Sequence, residues 1–252
     1  MQSLRPAARG STKLLALLLA AGLLGALTPG SAGAENKRVI TVMTRNLYLG
    51  TDLDPIIGAP DLPSLLQAVD DGFANVVATD FPTRAGAIAD EIADTQPDLV
   101  GLQEVSLWRT DVPPDGEVSP AETVAFDFLQ ILLGAMEARG LSYAPVVSVD
   151  NFDAEVPAGF PPTMDVRLTD RDVILARTDL KTAELMLSNP MAANFETAAT
   201  IPDTPIGTIT IPRGWTSVDV KLRGKEFRLV NTHLEVASFP LGLVQVDRKS
   251  VV

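Results

Sequence analysis

The 252-residue sequence predicts an α/β protein, and three stretches carry that prediction. In Pro97 to Val105, PDLVGLQEV, the apolar residues Leu99, Val100 and Leu102 are too few for a helix and lack its spacing. They read as a buried strand of the kind that follows a helix in an α/β layer. Val39 to Leu49, VITVMTRNLYL, alternates as a second strand, and Phe227 to Glu235, FRLVNTHLE, is a third. Each runs into a polar residue: Glu104, Asn46 and His233. Strand ends and the loops after them form the ligand crevice of open α/β sheets. A carboxylate delivered there suits a hard cation such as Mg²⁺, which takes one or two carboxylates and keeps several waters.

Taken in order, the chain starts with Arg5, Arg9 and Lys13 and no acid, then a Leu/Ala run from Leu14 to Leu27. That run is short for a membrane span, and Ala32-Gly33-Ala34 has the small-x-small form of a cleavage site. Residues 1–34 therefore read as a signal peptide, and the remainder as a secreted protein, extracellular or periplasmic, with no transmembrane anchor after cleavage. There is no cysteine, which excludes a lipid-attached cysteine and any disulfide. Removing the three bases of the leader takes the net charge from −12 to −15. Such an acidic surface repels polyphosphate chains, so no stable nucleic-acid partner is expected. Residues 35–252 suffice for one sizeable core, expected as a monomer.

After Asn46 comes a connection with Asp52, Asp54 and Pro55, then a helix with Leu62, Leu65, Leu66, Val69, Phe73, Val76 and Val77 on one face. Thr83 to Thr95 is a second helix, with Ala85, Ile88, Ala89 and Ile92 inward, leading into the Glu104 strand. Trp108 to Val118 reads as a loop. Ser119-Pro120-Ala121-Glu122 has the form of a capping box with proline at the first helical position, so a helix is expected from there to Arg139, stopped by Gly140. Tyr143 to Val149 reads as a strand, and Asn151 to Met164 as a loop that could rim a substrate site. Val166 to Arg177 reads as two strand pieces around Asp170-Arg171-Asp172. Ser188 to Pro212 reads as a polar connection, followed by a hairpin of Trp215 to Leu222 and Lys225 to Asn231 turning at Arg223-Gly224.

A strand ending in Asn46, a helix leading to PDLVGLQE, and a later strand ending in NTHLE together resemble the endonuclease/exonuclease/phosphatase superfamily, which includes DNase I-like nucleases, sphingomyelinases and inositol phosphatases. The resemblance runs from about Val39 to about Glu235. It implies a four-layer α/β sandwich, two packed mixed sheets flanked by helices, and a phosphoesterase working through a metal-activated water. By the resemblance, Glu104 and Asn46 would serve the metal, Mg²⁺ with Mn²⁺ or Ca²⁺ as alternatives, and His233 would contact the scissile phosphate as the catalytic imidazole. A neighbouring carboxylate is expected to keep that imidazole protonated. Asp172, Arg171 and Asn231 are expected at the substrate. The substrate would be a phosphoester: a lipid head group, a nucleic acid or a small phosphate ester, with the acidity favouring the non-nucleic-acid classes.

Members of this superfamily continue to a Gly-Asp-x-Asn and then a Ser-Asp-His motif, and neither occurs in these 252 residues. The last strands of the fold are therefore expected to be missing. Asp247 to Val252, DRKSVV, breaks the pattern of Phe239 to Val246 and matches one reading frame of a common sequencing adapter, so residues 247–252 are expected to be artefactual and residues 35–252 a partial domain. A non-catalytic binding version of the same fold is the alternative. No Gly-x-Ser-x-Gly elbow occurs, and one histidine without cysteine disfavours a zinc site.

Overall fold

The computed structural model describes residues 39–116 and 118–235. The expected leader and the segment from Phe239 to Val252 lie outside them. No helix among the described residues is long and apolar enough to cross a membrane.

One sheet is built on β1 (Val42–Asn46), β2 (Leu99–Gln103), β3 (Leu107–Asp111), β4 (Thr123–Asp127), β5 (Tyr143–Ala158) and β6 (Met164–Arg177). β1 pairs in parallel with β2, and every other pairing is antiparallel. β5 covers one edge of β6 along its whole length. On the other edge β2 pairs with Val173–Ala176 and β3 with Asp165–Thr169, so these two short strands lie end to end. The chain bridges them at Glu104, whose φ of +54° is left-handed. That conformation costs a residue with a Cβ about 1–2 kcal/mol, and it turns Glu104 out of the ladder.

A second, antiparallel sheet has the order β11-β10-β7, from β7 (Leu185–Asn194), β10 (Gly214–Leu222) and β11 (Lys225–Thr232). β8 (Ala199–Thr204) and β9 (Gly207–Ile211) form a separate hairpin. Of four helices, α1 (Asp54–Ile57), α2 (Leu62–Ala78), α3 (Phe81–Thr95) and α4 (Phe128–Glu137), the last three lie on the first sheet and α1 packs against α2.

β2 shows how the layers are made. Val100 and Leu102 join the core shared with the helices, while Leu99 joins the core between the sheets with Ile174, Val218, Val220 and Leu222. A strand apolar on both faces must be covered on both, here by helices on one side and a sheet on the other. The helix face is set by α3, where Phe81, Ala85, Ile88, Ala89 and Ile92 are buried at helical spacing. Phe81 stacks on Phe128 of α4 with ring centroids 3.6 Å apart. On α2, Leu65, Leu66, Val69 and Val76 are buried, while Leu62 and Val77 at its ends stay exposed. The two packed sheets with flanking helices are the expected class; among the described residues α2, α3 and α4 pack on the first sheet.

Five local expectations are corrected. Thr123–Asp127 is an edge strand on β3, and α4 starts eight residues later than the capping box implied, because Asp127 caps Leu129 N at 3.1 Å while the Ser119 hydroxyl turns back to Asp115 at 2.6 Å. Gly140 does close the helix region, at φ +73°. Trp108 to Asp111 is strand rather than loop. β5 continues through Asn151 to Ala158, which leaves only residues 159–163 as a turn; Pro145 and Pro157 are tolerated because β6 is its one ladder partner. Residues 188–212 are largely strand, forming most of β7 and all of β8 and β9. Asp170-Arg171-Asp172 lies inside the continuous strand β6, not in a turn.

Candidate active site

β1 and β2 run parallel and stop together, Asn46 beside Gln103, so Asn46 and Glu104 emerge at the same end of the sheet. The Asn46 amide donates to Glu104 Oε1 at 2.8 Å, and Leu49 N donates to Oε2 at 2.7 Å. Asn46 Oδ1 in turn accepts from Tyr48 N at 2.7 Å. Arg84 of α3 holds this loop from behind, donating to the carbonyls of Leu47 at 2.6 Å and Tyr48 at 3.2 Å. Each carboxylate oxygen of Glu104 keeps a lone pair beyond these bonds.

The second sheet supplies the imidazole. Along β11, Phe227 and Leu229 face the inter-sheet core and Asn231 follows on the same side, so the two-residue period carries on to His233 just past the strand end. His233 Nε2 lies 3.8 Å from Glu104 Oε1. Asn231 is 5% exposed and ties the sheets together. Its amide donates to the carbonyls of Leu102 at 3.0 Å and Val173 at 3.4 Å, and its oxygen accepts from Gln103 at 2.5 Å. Both of its N–H groups are engaged within the protein, so a substrate contact would need one of these bonds to exchange. A Cβ on Gly101 would meet Asn231 Oδ1 at 2.7 Å, which is why the strand carries glycine there.

Behind His233 stand two buried carboxylates. Asp172 is 0% exposed and accepts from His233 N at 3.0 Å, and Asp170 faces Arg213 Nη1 at 3.5 Å. One oxygen of each finds no hydrogen-bond partner. Burial pushes Asp172 up to about 7 and Asp170 up to about 6, against the pull of Arg213 on both. Asn151, fully buried alongside, also offsets part of the rise, although its amide makes no hydrogen bond of ordinary geometry.

Arg213 is the basic hub of this cluster. It donates to Glu235 at 3.2 Å and approaches His233 Nδ1 at 3.4 Å. A guanidinium can only donate, so Nδ1 is the bare nitrogen of His233 and Nε2 carries the proton, toward Glu104. The expected pull of a neighbouring carboxylate on this imidazole is present but outweighed. Burial and the Arg213 charge hold the His233 pKa below its usual value, outweighing Glu104 and Glu235. Arg171 is engaged elsewhere, donating to Asp127 at 2.6 Å and to the Val105 carbonyl at 2.9 Å, where it joins β6 to the α4 cap.

The structure thus brings Asn46, Glu104, Asp172 and His233 together and uses Asn231 as their support. Sequence reasoning missed Arg213 and Asn151. Arg213 stands in a Thr- and Ile-rich stretch with no motif around it, and Asn151 in a segment read as loop; neither has a local signal.

Fold and site define an α/β sandwich that presents a carboxylate, an amide and an imidazole at one end of its facing sheets. No family model matches the chain, and no curated protein matches it in sequence. Among solved structures it is similar to an endonuclease/exonuclease/phosphatase family protein from Leptotrichia buccalis, 11% identical, covering 85% of this chain and 62% of that one, with a TM-score of 0.43. A mannosyl-6-phosphatase from Bacteroides thetaiotaomicron is 20% identical over 84% of this chain and 59% of its own, with a TM-score of 0.44. TDP2 from Caenorhabditis elegans is 16% identical over 83% of this chain and 40% of its own, with a TM-score of 0.36. The chain therefore spans about three fifths of the first two and two fifths of the third.

Proposed function

We propose that the chain carries the metal-binding and imidazole half of a secreted, Mg²⁺-dependent phosphoesterase that cleaves phosphodiesters. The observation that supports this most is convergence. Asn46, Glu104 and His233 come from three segments far apart in sequence and two different sheets, yet Glu104 Oε1 lies within 2.8 Å of Asn46 Nδ2 and 3.8 Å of His233 Nε2.

The donor set fits a hard cation. Glu104 offers an anionic oxygen; Asn46 turns its amide nitrogen to Glu104 and its oxygen to Tyr48 N, so it would orient the carboxylate and would ligate a cation itself after its amide turned over; and no lysine or arginine forms an ion pair with Glu104 among the described residues. Bound there, Mg²⁺ would neutralise charge building on the phosphate and supply an activated water. The protein's own groups do the rest. Glu104 is held at both oxygens, so its orientation is set before any ligand arrives. His233 presents Nε2–H as a hydrogen-bond donor to a non-bridging phosphate oxygen, and Arg213 fixes that tautomer. Asp172 anchors the His233 backbone. The run of basic and apolar residues before Ala34 supports export, and the net charge of −12 favours a substrate other than long nucleic acid.

The test is to follow the reading frame through the codon for Val246 and beyond, then assay the complete secreted product on bis(p-nitrophenyl) phosphate with Mg²⁺ or with EDTA. Hydrolysis should require the metal, and Glu104→Ala should reduce it at least a hundredfold. Metal-dependent binding of the ester without turnover would make the chain a binding version of the fold. Turnover that survives EDTA and Glu104→Ala alike would sink the proposal.

A further inference from the structure

At the opposite end of β6 lies a second set of carboxylates that the proposed chemistry does not use. Asp165 is seven residues from Asp172 along a continuous strand, roughly 23 Å at the usual rise per residue. Cross-strand register places Glu155 opposite Arg167 and Pro157 opposite Asp165, so Glu155 and Asp165 are diagonal neighbours on one face. Asp115, from the loop after β3, completes the group, and one carboxylate oxygen from each of the three lies within 4.8 Å of the others.

Proximity of acids alone would mean little. The decisive observation is that Asp165 is 0% exposed, and its Oδ1 is buried with no hydrogen-bond partner, as is Glu155 Oε1. Their other oxygens are already satisfied from the loop: Asp165 Oδ2 accepts from Asp115 N at 2.7 Å and Gly116 N at 3.0 Å, and Glu155 Oε2 accepts from Ala121 N at 2.7 Å. No ion pair to any of the three occurs among the described residues. Arg167 lies close enough to feel Glu155, but its guanidinium is bound to Asp153 at 2.7 and 2.6 Å. Two buried carboxylate oxygens left without a hydrogen-bond donor are costly unless something positive sits between them.

We propose that Asp115, Glu155 and Asp165 form a Ca²⁺ site, separate from the Glu104 cleft, that pins the loop between β3 and β4 to the β5–β6 hairpin. The ligand set favours the ion: Ca²⁺ accepts six to eight oxygens in flexible geometry and several carboxylates at once, whereas Mg²⁺ takes one or two carboxylates and keeps several waters. The all-oxygen set fits Ca²⁺ rather than zinc.

The experiment uses the full chain carrying Glu104→Gln, so that the proposed catalytic metal does not contribute, and titrates it calorimetrically with CaCl₂ and, separately, MgCl₂. One Ca²⁺ should bind with a dissociation constant below about 1 mM, at least tenfold more tightly than Mg²⁺, and should raise the melting temperature. Asp165→Asn should weaken Ca²⁺ at least tenfold. Because that change touches a buried residue, the exposed Asp115→Ala serves as the second variant; it should weaken Ca²⁺ while leaving the circular-dichroism spectrum intact. Absence of saturable Ca²⁺ binding, or binding that neither substitution alters, would overturn the proposal. Failure of the phosphodiesterase assay leaves this outcome unaffected, since the readout is binding and melting.

Discussion

Asp172 shows how one buried group couples the site to stability. Its carboxyl is pushed up from 3.8 to about 7 chiefly by burial, so the folded chain holds a proton that the unfolded chain releases. A raised carboxyl favours the folded state fully below about pH 4, and that contribution is lost as pH rises through about 7. Asp172→Asn keeps an oxygen to accept from His233 N and removes the charge. It should therefore stabilise the protein at pH 8, by at most about 4 kcal/mol, with the gain disappearing below about pH 4. Urea titrations of both proteins across that range, without divalent ions, measure it; equal stability at pH 8 would show that the carboxylate is better solvated than its burial implies. His233 works in the other direction, since its lowered pKa makes acid favour the unfolded chain.

Among the elements, α4 depends on a single side chain for two functions. Asp127 caps Leu129 N at 3.1 Å and pairs with Arg171 at 2.6 Å, and that guanidinium is largely buried against the Val105 carbonyl. Asp127→Ala removes a helix cap and leaves a mostly buried cation without its partner, so it should cost about 2–4 kcal/mol. Asp61→Ala, which removes only the cap of α2 at Ser64 N, should cost clearly less. Chemical-denaturation midpoints of the two variants decide this, and similar losses would mean that the Arg171 pair adds nothing. The same residue explains where α4 begins. A capping box at Ser119 needs helical residues directly after it, but Thr123 to Asp127 is claimed by pairing with β3, and the first free capping side chain is Asp127.

At the scale of the whole molecule, the two sheets approach closely where Gly101 of β2 faces Asn231 of β11. Gly101→Ala should force the sheets apart locally and cost about 1–3 kcal/mol. Asn231→Ala loses the bonds to Gln103 and Leu102 but makes room, so the double variant should be less destabilised than the sum of the single ones. A double-mutant cycle in urea reads this directly, and strict additivity would deny the close approach. Opening that contact also moves His233 relative to Glu104, which lie on different sheets.

Much of this was legible in local pattern. The strands ending at Asn46, Glu104 and His233 were visible because a buried strand needs apolar residues at its own period, and a polar residue breaking that run marks its end. The face of α3 was visible for the same reason at helical period. The strand character of Asn151 to Ala158 was hidden by its prolines, which only an edge strand can carry, and edge position is a property of the sheet. Asp170 and Asp172 read as a turn because charge usually marks surface, whereas their burial depends on Arg213 and Asn151 brought in from other strands. By itself, then, the sequence determined the strands that lead to Asn46, Glu104 and His233, the buried faces of α2 and α3, and the polar residues that close those strands, because those follow from neighbours along the chain. The meeting of two sheets at Gly101, the lowered pKa of His233 and the orphaned carboxylates of β6 were decided only in three dimensions, because burial and pairing are set by residues distant in the chain.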